Sequence, residues 1–187
     1  MTENEFLLQD RITKIKSINE QYDLLNNAYI SFSGGKDSTV LSVLIDEALP
    51  GNKIPRVYVD TKLDYKMLRE FALDKVKSDD RFVVVTHNKN IKQSLEQDGY
   101  PFKSKLHSRN VMYRQNGLDS DYLKCYFRKD NGTYGKSIRQ CPKQLEYQYD
   151  FNDFKISDKC CINMKEEPLK KWQKENNKHI YIGNTWC

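Results

Sequence analysis

The stretch Ile30-Ser31-Phe32-Ser33-Gly34-Gly35-Lys36-Asp37-Ser38-Thr39-Val40-Leu41 leaves an apolar run, turns on two consecutive glycines and re-enters an apolar run. Its corner carries Ser33, Lys36, Asp37 and Ser38. A corner of that composition suits an anion better than a hydrophobic core. Upstream, Ala28 to Phe32 is β-branched and aromatic and predicts a short buried strand. Downstream, Val40, Leu41, Leu44, Ile45 and Ala48 form a helical stripe that stops at Leu49-Pro50-Gly51. Glycines permit left-handed backbone and close approach of a ligand. The free N–H groups and the dipole at the start of the next helix attract anions. Ser33 and Ser38 add hydroxyl donors, and Lys36 adds a cation. Asp37 alone repels phosphate, so it either caps the helix or holds a metal that bridges phosphates.

Working outward, Leu7, Leu8, Ile12, Ile15, Ile18 and Tyr22 recur at spacings of three and four and predict an amphipathic helix before the first strand. Ile54 to Val59 predicts a second strand. Tyr65 to Lys77 predicts a helix with Met67, Leu68, Phe71, Ala72 and Val76 inward. Phe82 to Thr86 predicts a third strand, and Ile91 to Glu96 starts a short helix. Residues 99–157 mix aromatics, Asn, Gly and charges, with short helices expected near Ser108–Gln115 and Asp119–Arg128. Glu166 to Asn177 predicts a helix with Pro168 in or before its first turn. His179 to Gly183 predicts a fourth strand. Strand and helix alternate three times before a long insertion and a last strand. This pattern predicts an α/β fold with a mainly parallel twisted sheet flanked by helices, plus a small irregular helical insertion. The expected division is one domain: a nucleotide-binding core at 1–98, a lobe at 99–165, and a last helix and strand at 166–187.

Bulk properties narrow the class. The chain of 187 residues suits one domain with a real core. It is 38% hydrophobic, and no apolar run approaches the roughly 20 residues of a spanning helix. The start, MTENEFLLQDRITK, lacks a basic segment followed by an apolar one, so no secretory signal and a cytoplasmic protein are expected. Net charge is +5, with lysines interleaved among acids. That reads first as a solvated surface, with a nucleic-acid face left open. Five cysteines, an odd number, disfavour a disulfide framework.

The corner is neither a Walker A loop nor a GxGxxG turn. Ser33-Gly34-Gly35-Lys36-Asp37-Ser38 matches SGGxDS in full, and the sequence resembles the PP-loop ATP pyrophosphatases, whose domains have the adenine-nucleotide alpha-hydrolase-like fold. Val59-Asp60-Thr61-Lys62-Leu63-Asp64-Tyr65 is similar to the V-D-T-G-L-E-Y of the branch typified by phosphoadenosine phosphosulfate (PAPS) reductase, with Lys62 in place of glycine and Asp64 in place of glutamate. Gly99-Tyr100-Pro101-Phe102-Lys103-Ser104-Lys105 and the segment from Phe154 through Cys160-Cys161 to Met164-Lys165 resemble further elements of that branch.

The resemblance implies an adenine nucleotide with its β- and γ-phosphates on Ser33, Gly34, Gly35, Lys36, Asp37 and Ser38, with Asp60 flanking the adenosine. It implies Mg²⁺ at Asp37, cleavage between the α- and β-phosphates, and adenylylation of an acceptor or transfer of sulfur. Lys36, Asp37, Lys103 and Lys105 are the candidate catalytic groups, with His87 and His107 as further candidates near phosphate. In some relatives an adjacent cysteine pair helps to hold a [4Fe–4S] cluster, which needs four thiolates. For Cys160 and Cys161 this stands beside a Zn²⁺ site, a sulfur-passing thiol and inert burial.

The segment after the fourth strand resembles the family poorly, and the Glu-Cys-Gly motif of sulfonucleotide reductases is not found. A C-terminally shortened member is therefore expected, without sulfonucleotide reduction. Two other readings stay open: a catalytically incomplete nucleotide-binding module and a component that thiolates or phosphorothioates nucleic acid. Tyr122, Tyr126, Phe127, Tyr147, Tyr149 and Phe151 are expected to pack a small lobe rather than stack on bases. An open edge at the fourth strand would allow a homodimer.

Overall fold

A computed structural model of the chain describes residues 2–87, 90–129 and 139–182. Its elements begin with α1 (Glu3–Tyr22), α2 (Leu24–Asn27), β1 (Ala28–Ser31), α3 (Lys36–Ala48), β2 (Arg56–Asp60), α4 (Lys66–Ser78) and β3 (Phe82–Thr86). Then follow α5 (Ile91–Asp98), α6 (Lys105–Gln115), α7 (Asp121–Tyr126), a 3-10 helix (Lys143–Asp150) and α8 (Lys159–Cys161). A π-helical stretch (Ile162–Glu166), α9 (Glu167–Glu175) and β4 (Ile180–Ile182) complete the order. The last residue expected in the fourth strand, Gly183, lies outside the described residues, as does Cys187.

The chain compacts into two units. One comprises Met1–His87 and Lys165–Cys187, the other Asn88–Met164. The boundary therefore follows His87 rather than residue 98. The cause is α5: Asn163 Nδ2 donates to Asp98 Oδ2 at 2.7 Å and to Ser94 Oγ at 3.1 Å. Those bonds fasten α5 to residues of the lobe.

The first unit is an α/β layer. Its four strands run in the order β3-β2-β1-β4, and every pairing is parallel. Side chains alternate across a strand, so Ala28, Ile30 and Phe32 share one face and Tyr29 takes the other. Ile30, with Leu24, Ala28, Ile45 and Ile54, forms a core under α1 and α3. Phe32 packs with Tyr58, Ala72 and Phe82 under α4. On the opposite face the ring of Tyr29 meets Trp172 of α9 edge-on, with centroids 5.4 Å apart. Helices thus cover both faces, as the buried, apolar strands require. Three inward expectations fail: Met67 is 82% exposed and Leu68 and Phe71 are each 38% exposed, while Ala72 is fully buried and Val76 packs against the core. Met67 lies in the first turn of α4, and the residues of that helix that meet the core begin one turn later.

The second unit is helical with little regular sheet. Val111, Leu123, Tyr126, Phe127, Cys141 and Ile156 form its core, and Leu106, Tyr149 and Phe151 pack against it. Among its described residues a bridge pairs Tyr100 with Ile156: Tyr100 N donates to Lys155 O at 2.9 Å and Ser157 N to Tyr100 O at 3.0 Å. Among the described residues no helix is long and apolar enough to cross a membrane.

Candidate nucleotide site

In an open parallel sheet, ligands bind beyond the carboxyl ends of the strands where the strand order reverses. Here the order steps from β1 to β2 to β3 in one direction, while β4 lies on the other side of β1. The reversal is at β1, and the loop leaving β1 is Ser33–Gly35. Sheet order and loop position therefore single out the same corner.

Hydrogen bonds fix the loop's shape. The Ser33 amide donates to Ser38 Oγ at 3.2 Å, and the two hydroxyls lie 3.1 Å apart. Ser38 Oγ donates to Gly35 O at 3.0 Å, and Thr39 Oγ1 donates to the same carbonyl at 2.9 Å. Gly34 has φ +74°, and a Cβ placed on it would stand 2.9 Å from Leu68 O and 3.5 Å from Ala72 Cβ. Only glycine fits there, on both backbone and contact grounds.

Gly35 is the N-cap of α3, and no side chain caps that end. The amides of the first turn, at Lys36, Asp37 and Ser38, are the ones a helix leaves without intrahelical partners. With the helix dipole they favour an anion. Of the two roles expected for Asp37, capping is therefore removed, because the cap is Gly35. Asp37 and Lys36 are both exposed in the first turn. An exposed carboxylate beside these free amides has the donor chemistry of a Mg²⁺ ligand, since that ion takes one or two carboxylates plus phosphate oxygens.

Asp60 ends β2 at the same sheet edge. It is buried and committed: Arg69 Nε donates to Oδ1 at 2.8 Å, Arg69 Nη2 to Oδ2 at 2.7 Å, and the Lys62 amide to Oδ1 at 3.1 Å. Arg69 outweighs burial and holds the Asp60 carboxyl below its usual range. The carboxylate thus orients Arg69, whose side chain is 38% exposed, one residue beyond the Leu68 carbonyl that faces Gly34. Sequence reading singled out Asp60 but missed Arg69, because the pair spans nine positions across a loop and leaves no periodic signal. Asp64 accepts from Thr61 Oγ1 at 3.0 Å and from Tyr58 Oη at 3.3 Å, and pairs with Lys165 Nζ at 3.5 Å. Burial, reinforced by Asp64 and Asp60, pushes the Tyr58 phenol up to about 12. His87, after β3, lies with Nε2 3.4 Å from Thr61 O.

The structure thus gathers Ser33, Gly34, Gly35, Lys36, Asp37, Ser38 and Asp60 at one sheet edge. Lys103, Lys105, Cys160 and Cys161 belong to the second unit. Lys103 is exposed with φ +64°, and Ser104 caps α6 by accepting from the His107 amide at 3.2 Å. Lys105 Nζ stands 3.8 Å from Cys161 Sγ.

His107 is neither a loop histidine nor a surface cation. It is fully buried, with Nδ1 3.0 Å from Tyr126 Oη and Nε2 2.6 Å from Gln148 Oε1. Burial pushes it below the usual histidine range. Such a group ties three parts of a core together and does not meet phosphate.

Cys160 and Cys161 are half-buried in α8, and burial pushes the Cys160 thiol up. Cys125 and Cys141 are buried, and Cys141 belongs to the lobe's core cluster. Among the described residues no three Cys, His, Asp or Glu side chains are grouped as a metal site requires. The described residues therefore do not present the four-thiolate set of a [4Fe–4S] cluster.

Residues 27–118 match the family model of the phosphoadenosine phosphosulfate reductase domain. An uncharacterized protein of Methanocaldococcus jannaschii is 32% identical over 104 residues, which make up 51% of this chain and 25% of that protein. The aligned part thus spans about a quarter of that curated relative's length. No solved structure matches the chain. The matched segment holds the glycine corner, Asp60 with its arginine, and the three strands that aim both at one edge. Over residues 27–118, just under half of its length, the chain is similar to the phosphoadenosine phosphosulfate reductase domain.

Proposed function

We propose that the first unit binds ATP or a related adenine nucleotide, with its polyphosphate in the Ser33–Ser38 loop. The chain then takes part in adenylyl or sulfur transfer with release of pyrophosphate. The observation that carries this reading is the glycine-capped, otherwise uncapped start of α3 at the strand-order reversal. Amides of Lys36, Asp37 and Ser38 bind phosphate oxygens, and the Ser33 hydroxyl supplies a further donor, while Ser38 Oγ donates its proton to the Gly35 carbonyl and holds the loop's shape. Lys36 neutralises charge. Arg69, held by Asp60 and partly exposed, adds a second cation. Asp37 would hold Mg²⁺, which when bound neutralises the phosphates and favours departure of pyrophosphate. The similarity of residues 27–118 to the phosphoadenosine phosphosulfate reductase domain supports the reaction class.

The test is titration of Mg-ATP against the chain and its Asp37→Asn, Ser38→Ala double variant. Removal of a metal carboxylate and a loop hydroxyl is expected to weaken binding by about 100-fold or more, equivalent to about 2.8 kcal/mol. Unchanged affinity in the double variant sinks the assignment.

A further inference from the structure

We propose that residues 88–164 carry a binding surface for single-stranded nucleic acid, including a pocket for one unstacked base. The first observation is charge. This unit holds 14 Lys and Arg against 9 Asp and Glu, a net +5, whereas the remainder of the chain holds 17 against 17. The entire excess of positive charge therefore sits on the inserted lobe, as a phosphate backbone would select.

The second observation is a row of aromatic rings that the lobe does not bury. Tyr100, Phe154 and Tyr147 are 44%, 49% and 59% exposed. Half-buried Phe151 links them: Tyr100 to Phe154 spans 6.2 Å between centroids, Phe154 to Phe151 4.9 Å, and Phe151 to Tyr147 6.3 Å. Tyr126 and Phe127 serve the core as expected, but this row continues out of it. Exposed rings beside cations bind bases without sequence preference, because every base has a π-face.

The third observation is a cavity of about 400 Å³ that opens at Phe154. Side-chain amides of Gln97, Asn116 and Asn152 line it, with Lys155 and Lys159. Amides offer paired donors and acceptors to a base edge, and lysines meet the flanking phosphates. Asp98 and Asp153 also border the cavity. The Asp98 carboxylate already accepts from Asn163, and a carboxylate can accept from the amino group of cytosine. This surface lies wholly within the second unit and does not rest on the nucleotide reading.

The experiment is fluorescence anisotropy of a labelled oligonucleotide of about 12 nucleotides, titrated with the full chain. DNA and RNA single strands and a duplex are run separately. Salt-sensitive binding of either single strand, tighter than the duplex, is expected. Tyr147→Ala with Phe154→Ala should weaken it by about tenfold or more. Lys155→Glu with Lys159→Glu should also flatten the plot of log affinity against log salt by about 1.4, for two phosphates. Lys170→Glu with Lys171→Glu, exposed on α9 of the other unit, should leave binding unchanged. Absence of salt-sensitive binding, preference for duplex, or indifference to both lobe variant pairs would overturn the proposal. Circular dichroism and Mg-ATP titration of the same variants report folding and the nucleotide site separately, so the two readings fail independently.

Discussion

Lys62 occupies backbone that lysine tolerates poorly. Its φ is +60°, and the cost for a residue with a Cβ is about 1–2 kcal/mol. The turn holds it there by bonds on both sides. The Lys62 amide donates to Asp60 Oδ1, the Leu63 amide donates to Thr61 Oγ1 at 3.2 Å, and Thr61 Oγ1 donates to Asp64. The side chain itself is exposed. Glycine would remove the strain but lose more chain entropy on folding. Lys62→Gly is therefore expected to stabilise the protein by about 0.5–1 kcal/mol, read from the urea midpoint at unchanged slope. A lower midpoint would mean that the ammonium does more for the fold than its exposure suggests.

At the scale of elements, an ion network at the amino end of the sheet joins α3, β2 and β3. Arg56, fully buried at the start of β2, donates to Asp46 Oδ1 at 2.6 Å, to Asn52 Oδ1 at 2.9 Å, to Ser42 Oγ at 3.2 Å and to the Ile54 carbonyl. Arg81 reaches Asp46 Oδ1 at 2.7 Å and Asp79 Oδ2 at 2.7 Å. Burial pushes the Asp46 carboxyl up, but Arg81, Asn52 and Arg56 outweigh it and hold it below the usual range. Hydrogen bonds from Arg81 bring Asp79 down to about 2. A depressed carboxylate stabilises the fold above its unfolded pKa, and the gain is lost as pH falls through the folded one. Stability supplied by Asp79 should therefore be complete above about pH 4 and disappear toward about pH 2. Asp79→Asn is expected to cost about 1 kcal/mol near neutrality, given partial solvent screening, and almost nothing near pH 2. A wild-type-minus-variant gap in unfolding free energy that stays constant between those limits would contradict the pairing.

This network also marks where sequence reading stopped. The strands were legible because their β-branched runs are bounded by glycine, proline and polar turns, and the PP-loop because six consecutive residues carry it. Arg56 was read within a strand, but nothing local says that a charge there is buried. Its acceptors lie 4, 10 and 14 positions away, on elements that meet only after the crossover is made. The same reason hid Arg69 and reversed the reading of His107, whose partners Tyr126 and Gln148 are 19 and 41 residues distant. Met67 fits the helical period and yet faces outward, because periodicity cannot tell which turn of a helix first reaches the core.

For the whole molecule, the division into two units separates two chemistries. The first has no net charge and an uncapped helix start at the strand-order reversal, so the nucleotide affinity proposed for it would arise from oriented amides and short-range contacts. The second has a net +5 and a spread of rings, so the polyanion affinity proposed for it would arise from summed charge and stacking. A ligand at about 100 times its dissociation constant adds about 2.7 kcal/mol to what it binds, which is large enough to slow local hydrogen exchange measurably. Hydrogen exchange followed by mass spectrometry should then show two footprints. Mg-ATP is expected to slow exchange in peptides containing residues 33–39, and a single-stranded oligonucleotide in peptides from 97–103 and 147–159. The pattern under high salt distinguishes them further: screening should erase the second footprint and leave most of the first. An oligonucleotide that protects residues 33–39 instead would mean that its phosphates compete for the glycine loop, and that the positive lobe is a solvated surface after all.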